Sequence, residues 1–188
     1  MFITTQILND DECGLLQSIV GQRWVDISGD GLVEPDLCIA SARIETEDVA
    51  IQLSLDMELL SIDGEPDNYP HLHVTRSEEK SRDAIKNGRV YVHCHGEIVH
   101  EVFLYRIKTV GIHSGVQVID NTADIVIAIK LESKWISFVR ASQFSEVFRI
   151  RRTATRDEIK LPDTAHEWGP DLLEQYECSG KWIRVGGV

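Results

Sequence analysis

Hydrophobic and polar residues alternate with a period of two over most of this chain, which is the pattern of half-buried β-strands. Turn-forming residues such as Asp63-Gly64-Glu65-Pro66-Asp67-Asn68 and the stretch from Gly111 to Gly115 separate the alternating segments. The pattern predicts strands at residues 23–28, 37–45, 49–57, 59–62, 71–75, 90–94, 99–107, 116–119, 124–131, 135–139, 147–150 and 181–185.

Three segments carry helix signals instead. Residues 10–21 open with three acids and continue as an i, i+4 apolar stripe, residues 77–87 open with a serine and two glutamates, and residues 155–161 stop at a proline. We therefore predict an α+β fold, predominantly antiparallel β with two or three short helices covering one face, in a single compact domain over residues 1–188.

The chain also matches itself weakly at an offset of 76 residues, where residues 49–62 align with residues 125–138 without a gap. A duplication of this size would make each half one supersecondary unit. It predicts half-repeats over residues 22–88 and 98–161, followed by a C-terminal tail at 162–188. The alternative is that any two alternating strands can be set in register, because the match depends on hydrophobic period more than on identities.

Charge is distributed unevenly. The net charge is −12, yet residues 1–68 hold 15 acidic side chains against only Arg23 and Arg43, which leaves +1 for residues 69–188. Such a surface repels nucleic acid and anionic lipid and attracts cationic partners over long range. Carboxylates that merely keep the protein soluble are the alternative, although solubility does not require one third of the chain to carry the whole imbalance.

The acidic first third therefore supplies the candidate binding residues for a basic protein partner. The candidate pool consists of Asp30, Glu34, Asp36, Glu45, Glu47, Asp56, Glu58, Asp63, Glu65 and Asp67.

The predicted order of about four strands followed by a helix occurs twice along the chain and resembles the duplicated scaffold of Whirly proteins. Some immunity proteins of bacterial contact-dependent inhibition systems are similar to that scaffold. The resemblance covers residues 22–161 and depends on element order and the match of 49–62 with 125–138. Whirly proteins bind single-stranded DNA through a basic surface, which the acidic first third lacks. The resemblance to immunity proteins implies instead an acidic face that covers a basic toxin.

Histidines form two H-x-H steps, His71-Leu72-His73 and His93-Cys94-His95. Alternate residues of a strand share a face, so each step would place two imidazoles side by side, and four would converge on a zinc-like ion only if the strands were adjacent and in register. Because solvated histidines occupy such positions as well, no metal site is favoured and no cofactor is expected.

Other chemistry has little support. Arg149, Arg151, Arg152 and Arg156 form a basic cluster that could hold a phosphate or could pair with carboxylates of the same chain. No nucleophile elbow, phosphate loop or dinucleotide fingerprint occurs, so no catalytic residue is assigned. The four cysteines lack C-x-x-C spacing. Neither a signal peptide nor a membrane-length apolar run is found, which predicts a cytoplasmic protein without membrane contact.

These observations predict a non-enzymatic, acidic protein-binding module, a bacterial immunity or inhibitor protein that neutralises a basic toxin such as a nuclease by masking its active site. The alternative is a small metal-binding protein or metal-dependent enzyme that uses the H-x-H strands.

Overall fold

The structure is a computed structural model that describes residues 2–29, 37–39, 41–62, 65–78, 96–142, 145–162 and 175–186. At residues 2, 37–39, 61, 62, 65–67 and 176 it describes the backbone alone.

Strands dominate the described residues, with one α-helix and one 3₁₀ turn among them. In chain order the elements are β1 (Phe2–Gln6), α1 (Asp10–Ser18), β2 (Trp24–Ser28), β3 (Leu37–Ile39), β4 (Ser41–Thr46), β5 (Ala50–Ile62), β6 (Glu65–Arg76), β7 (Val99–His113), β8 (Val116–Leu131), β9 (Trp135–Arg140), β10 (Val147–Thr153), the 3₁₀ turn (Arg156–Glu158) and β11 (Gln175–Arg184).

The strands form two sheets. The larger sheet has the order β11, β7, β8, β9, β10, β3, and β1 adds to it by pairing in parallel with β8. The smaller sheet has the order β2, β4, β5, β6, and every pairing except that of β1 is antiparallel. The chain passes from the larger sheet to the smaller between Ile39 and Ser41, so the segment predicted as one strand at 37–45 is divided between them.

One apolar core joins the two sheets and α1. On β5 the inward residues are Ile51, Leu53 and Leu55, and on β8 they include Ile127 and Ile129, all at most 3% exposed. The alternation along each strand produces this core because successive side chains of a strand point to opposite faces. Burying each such side chain stabilises the fold by roughly 1.5–3 kcal/mol.

The predicted strands at 23–28, 135–139 and 147–150 are confirmed within three residues at either end. The strand predicted at 99–107 is confirmed as well, but it continues to His113. The hairpin turn predicted between Gly111 and Gly115 is confirmed as well, at Ser114 and Gly115, whose φ angles of 50° and 71° suit a tight two-residue hairpin turn. The predominantly antiparallel β fold is therefore correct.

Two predicted breaks are wrong, because single strands run through them. β5 is continuous where two strands at 49–57 and 59–62 were expected, and β8 continues through the break expected between strands at 116–119 and 124–131. Residues 125–138 form a hairpin of β8 and β9, whereas residues 50–62 form one strand. The equivalence of the two half-repeats stays a prediction.

Helices are fewer than expected in the described part of the chain. The helix at 10–21 is confirmed as α1, which ends three residues early. The prediction of a helix at 155–161 is wrong, since only Arg156–Glu158 form a 3₁₀ turn, which has no side-chain cap. A segment of seven residues before a proline can form too few helical hydrogen bonds to offset the free-energy cost of nucleating a helix. The helix predicted at 77–87 and the strand at 90–94 lie outside the described residues, apart from Ser77 and Glu78.

A buried carboxylate fixes the start of α1 on the larger sheet. Asp124 of β8 is fully buried and accepts hydrogen bonds from Arg106 Nε at 2.8 Å and Nη2 at 2.9 Å. Its Oδ2 also accepts the backbone N–H of Leu8 at 2.9 Å, two residues before the helix. The hydrogen bond to Asp124 raises the pKa of the Arg106 guanidinium, which therefore stays charged.

A second carboxylate supports the junction between the sheets. The backbone of residues 96–99 exchanges hydrogen bonds with that of residues 21–24, which joins β7 to β2. Glu97 accepts the Ser133 N–H at 3.0 Å and the Lys134 ammonium at 3.1 Å. Burial acts to raise the pKa of Glu97, but these donors outweigh it and hold the pKa below its usual range.

Replacing Asp124 with alanine leaves the partly buried Arg106 guanidinium and the Leu8 N–H without an acceptor. We expect D124A to lower the free energy of unfolding by about 3 kcal/mol, since breaking a buried ion pair by removing one partner costs that much. Urea denaturation measures it. The control is D120N, which removes the more exposed Lys108–Asp120 pair and should cost less than about 1 kcal/mol. Equal losses in both variants would contradict this role of Asp124.

Stability should depend on the Glu97 carboxylate in a pH-specific way. Its pKa is lower in the folded protein than in the unfolded chain, where glutamate titrates near pH 4.3, so its contribution is present above that pH and is lost as pH falls through the folded-state pKa. Wild type should therefore exceed E97Q in stability at about pH 6, and the difference should shrink as the pH falls below about 4.3 and vanish once the pH is below the lowered folded-state pKa. Urea denaturation across this range tests it, with the exposed E132Q as the control. A difference that persists in acid would contradict the assignment.

Candidate functional site

The hairpin of β5 and β6 extends beyond the rest of the smaller sheet. β4 pairs with β5 only from Ala50 to Ser54, and within the described residues no strand other than β6 pairs with residues 55–62. We call residues 55–62 and 65–72 the arm. Met57 and Leu59 are 43% and 70% exposed on it, although they share the strand face that is buried further back. The arm is thus a two-stranded ribbon with two large exposed apolar side chains on the face that continues the core face of β5.

Acidic positions gather on the opposite face of the arm. Asp56 and Glu58 alternate with Met57 and Leu59 along β5, so they lie on the outer face, away from the core. In the register of the hairpin, residue 67 lies opposite Leu60 and residue 65 opposite Ile62, which are outer-face positions as well. Four members of the candidate pool therefore occupy register positions on one face of one ribbon.

The remaining candidate acids do not join this group within the described part of the chain. Glu45 on β4 forms an ion pair with the buried Arg43, and Glu47 is exposed beside the β4–β5 turn. The other four, Asp30, Glu34, Asp36 and Asp63, lie outside the described residues.

Two of the four predicted histidines lie at the base of the arm. His71 and His73 are on the outer face of β6, with ring centroids 4.3 Å apart, opposite Asp56 and Ser54 respectively. The prediction that the H-x-H step places two imidazoles side by side is confirmed here. His93 and His95 lie outside the described residues, so the convergence of all four stays untested.

Glu58 completes a three-residue cluster with these histidines. Its Oε1 is 2.8 Å from Nδ1 of His71 and 3.9 Å from Nε2 of His73. One potential ligand atom from each residue lies within 4.8 Å of the other two, and all three residues are partly buried. We call Glu58, His71 and His73 the His–Glu cluster.

Glu12 of α1 holds His73 from the other side. Its Oε1 lies 3.0 Å from Nδ1 of His73 and accepts the backbone N–H of Val74 at 3.1 Å. A carboxylate only accepts hydrogen bonds, so Nδ1 of His73 carries the proton, and Nε2 presents a lone pair toward Glu58 when the ring is neutral. The Glu12 side chain is nearly buried and fixed, because its Oε2 accepts the Asn9 N–H in a capping box.

His71 is left without a hydrogen bond in the described structure. Both of its ring nitrogens are buried, and the contact of Nδ1 with Glu58 lacks the alignment of a hydrogen bond despite the distance of 2.8 Å. Burying a polar group without a partner costs about 1–3 kcal/mol. A ligand that engaged this ring would remove that cost.

The basic cluster is arranged differently. Arg156 lies over the rings of Phe103 and Trp182, at 5.0 Å and 5.5 Å from their centroids, so it packs on the second face of the larger sheet. Arg151 and Arg152 line a surface depression that also contains Glu158. Arg156 is not among the described residues that line this depression.

Sequence reasoning missed the partners of the histidines. Glu58 was assigned only to the acidic pool, and Glu12 was treated only as part of a helix N-terminus. The available signal was the facing pair Asp56-x-Glu58 and His71-x-His73 across a hairpin, but its use requires the register, which depends on where the turn lies.

Comparison of the chain with family models, with curated proteins and with solved structures gives no match. The described helices include none with the length and apolar character needed to span a bilayer. The fold and the site therefore define the class in structural terms alone, as a mostly antiparallel β protein of two sheets with an acidic hairpin arm.

Glu12 should stabilise the fold through its charge and its position. We expect E12A to lower the free energy of unfolding by about 2–3 kcal/mol, because it leaves the Asn9 and Val74 N–H groups without their acceptor. E12Q keeps an acceptor oxygen and should lower the free energy of unfolding by a smaller amount than E12A does. Urea denaturation compares both with D11A, an exposed acid of the same helical turn, which should change stability by no more than about 1 kcal/mol. Equal effects of E12A and D11A would contradict this assignment.

Proposed function

We propose that the protein is a non-enzymatic binding module whose arm engages a basic protein partner. The observation that supports this most is the gathering of acidic positions on one face of a ribbon that extends beyond the sheet. Residues 56–67 hold five acidic residues and no basic one. Concentrated charge of one sign on a projecting element attracts a cationic partner over long range and raises the association rate.

The apolar face of the arm supplies the second element of such an interface. Interfaces combine an apolar centre with a polar rim, and a few central residues carry most of the binding energy. Met57 and Leu59 are large, exposed and next to the acids on the same strand. A partner that receives the arm would bury them while its lysines or arginines meet the carboxylates.

The immunity role is the specific form of this proposal. An acidic arm inserted into the basic cleft of a toxin domain, such as a nuclease, occupies the place of the polyanionic substrate and masks the active site. The charge distribution and the arm together support this form, and the protein would act in the cytoplasm.

Charge reversal on the arm tests the proposal. The partner is first sought by pull-down among basic proteins encoded by neighbouring genes. D56K/D67K should then lower the association rate by about tenfold or more at low salt, with a smaller effect at moderate salt, because steering by exposed charges is screened. Stopped-flow fluorescence measures the rate. The variant leaves Glu58 intact, so the His–Glu cluster is preserved.

The matched control is E132K/D157K, which changes net charge equally at two exposed acids, one in the connection between β8 and β9 and one in the 3₁₀ turn. It should change the association rate far less. Unchanged binding by D56K/D67K, together with loss of binding in R149E/R152E, would refute the acidic-arm mechanism and indicate an anionic partner.

A further inference from the structure

We propose that the His–Glu cluster at the base of the arm is a binding site for a divalent transition-metal ion, with zinc as the expected metal. Its ligands are Glu58 of β5 and His71 and His73 of β6, and Glu12 of α1 positions His73. This inference is independent of the proposed partner binding, and it replaces the expectation from sequence that no metal is bound.

The ligand types and spacing fit such an ion. Two imidazoles and one carboxylate are a common zinc set, with metal–ligand distances of about 2.0–2.2 Å. In a tetrahedral site of that size, neighbouring ligand atoms lie about 3.3 Å apart. The distances from Glu58 Oε1 to His71 Nδ1 and His73 Nε2, 2.8 Å and 3.9 Å, lie on either side of that value. Small side-chain rotations would equalise them.

Glu12 gives His73 the surroundings of a metal ligand. A metal-bound histidine donates its other ring N–H to a carboxylate or carbonyl, which fixes the tautomer and raises the basicity of the ligating nitrogen. His73 donates Nδ1–H to Glu12 at 3.0 Å and directs Nε2 toward Glu58. Since Glu12 is itself fixed by the Asn9 and Val74 N–H groups, the imidazole is positioned before any ion arrives.

His71 carries an independent signal. Its ring nitrogens are buried without hydrogen bonds, and Nδ1 lies beside a carboxylate oxygen. A cation bound between His71 and Glu58 would satisfy both groups. The competing arrangement is a protonated His71 paired directly with Glu58, which needs no metal and is the outcome that the experiment must separate.

A metal here would join the two strands of the arm and, through Glu12, connect them to α1. Three protein ligands leave one tetrahedral position for water or for a group supplied by a partner.

The experiment uses the full chain, freed of metal by a chelator and kept reduced, and titrated with Zn²⁺ by calorimetry and with Co²⁺ by absorption spectroscopy. We expect one equivalent of Zn²⁺ and a Co²⁺ spectrum of a tetrahedral nitrogen–oxygen site. E58Q, H71A and H73A should each abolish this saturable binding. E58Q is the most conservative of them, because Glu58 is two-fifths exposed and glutamine keeps its shape.

The positioning role of Glu12 has its own readout. E12Q should retain a one-to-one site with about 10–100-fold weaker Zn²⁺ affinity, the usual effect of removing the carboxylate behind a metal-bound histidine. The thermal midpoint of each metal-free variant separates loss of ligands from loss of fold. H100A, at an exposed histidine of β7, is the matched control and should bind as wild type does.

Absence of saturable Zn²⁺ or Co²⁺ binding by the folded wild type would overturn the proposal in favour of the direct His71–Glu58 ion pair. Binding that survives in folded E58Q and H71A, whether through other histidines or through cysteines, would overturn it equally. Neither result bears on partner binding, which D56K/D67K tests with the cluster intact.

Discussion

The carboxylate of Glu12 connects α1 with β6, whose contacting residues lie 61 and 62 positions further along the chain. It closes the capping box at the start of α1, accepts the N–H of Val74 on the free edge of β6, and orients His73. The same helix start is held to the larger sheet by Asp124, which accepts the Leu8 N–H and binds Arg106. Two buried carboxylates thus set the position of the helix against both sheets. Each is tolerated in the interior because donors satisfy it.

This arrangement also protects the edge of the smaller sheet. Among the described strands β6 lies at the edge of the smaller sheet, and an edge with free backbone groups can pair with another chain. Glu12 accepts the Val74 N–H, and the Pro70 carbonyl accepts hydrogen bonds from Arg140 Nη2 at 2.9 Å and Gln6 Nε2 at 3.3 Å. Polar side chains therefore cover the base of the edge strand. Within the described residues the arm beyond it is a ribbon of two strands, on which Asp56, Met57 and Leu59 are exposed.

The fold class followed from the sequence because alternation is a local signal, whereas strand limits and the site depend on distant segments. Asp120-Asn121-Thr122 resembles a turn, but Asn121 is almost fully buried between β7 and β1, opposite Thr109 and Thr4. Pairing with the N-terminal strand keeps that segment extended, and no local pattern indicates a partner more than 100 residues away. The His–Glu cluster could not be predicted from the sequence for the same reason. His71 and Glu58 meet through hairpin register, and Glu12 reaches His73 only after α1 has packed on β6.

The location of the acidic residues also changes the meaning of the net charge. Glu12 and Asp26 are buried and Glu45 is paired with Arg43. Part of the net charge of −13 on residues 1–68 therefore lies in the interior or is neutralised, and it adds little to the electrostatic field outside the protein. The arm retains exposed charge, and Glu58 belongs both to its acidic face and to the His–Glu cluster. A divalent ion held there would reduce the negative field of the arm by two charges while making its base more rigid. A more rigid arm loses less entropy when the partner binds, which favours affinity, whereas a weaker field lowers the association rate. A bound metal would therefore slow the association with the partner while reducing the entropy cost of the complex.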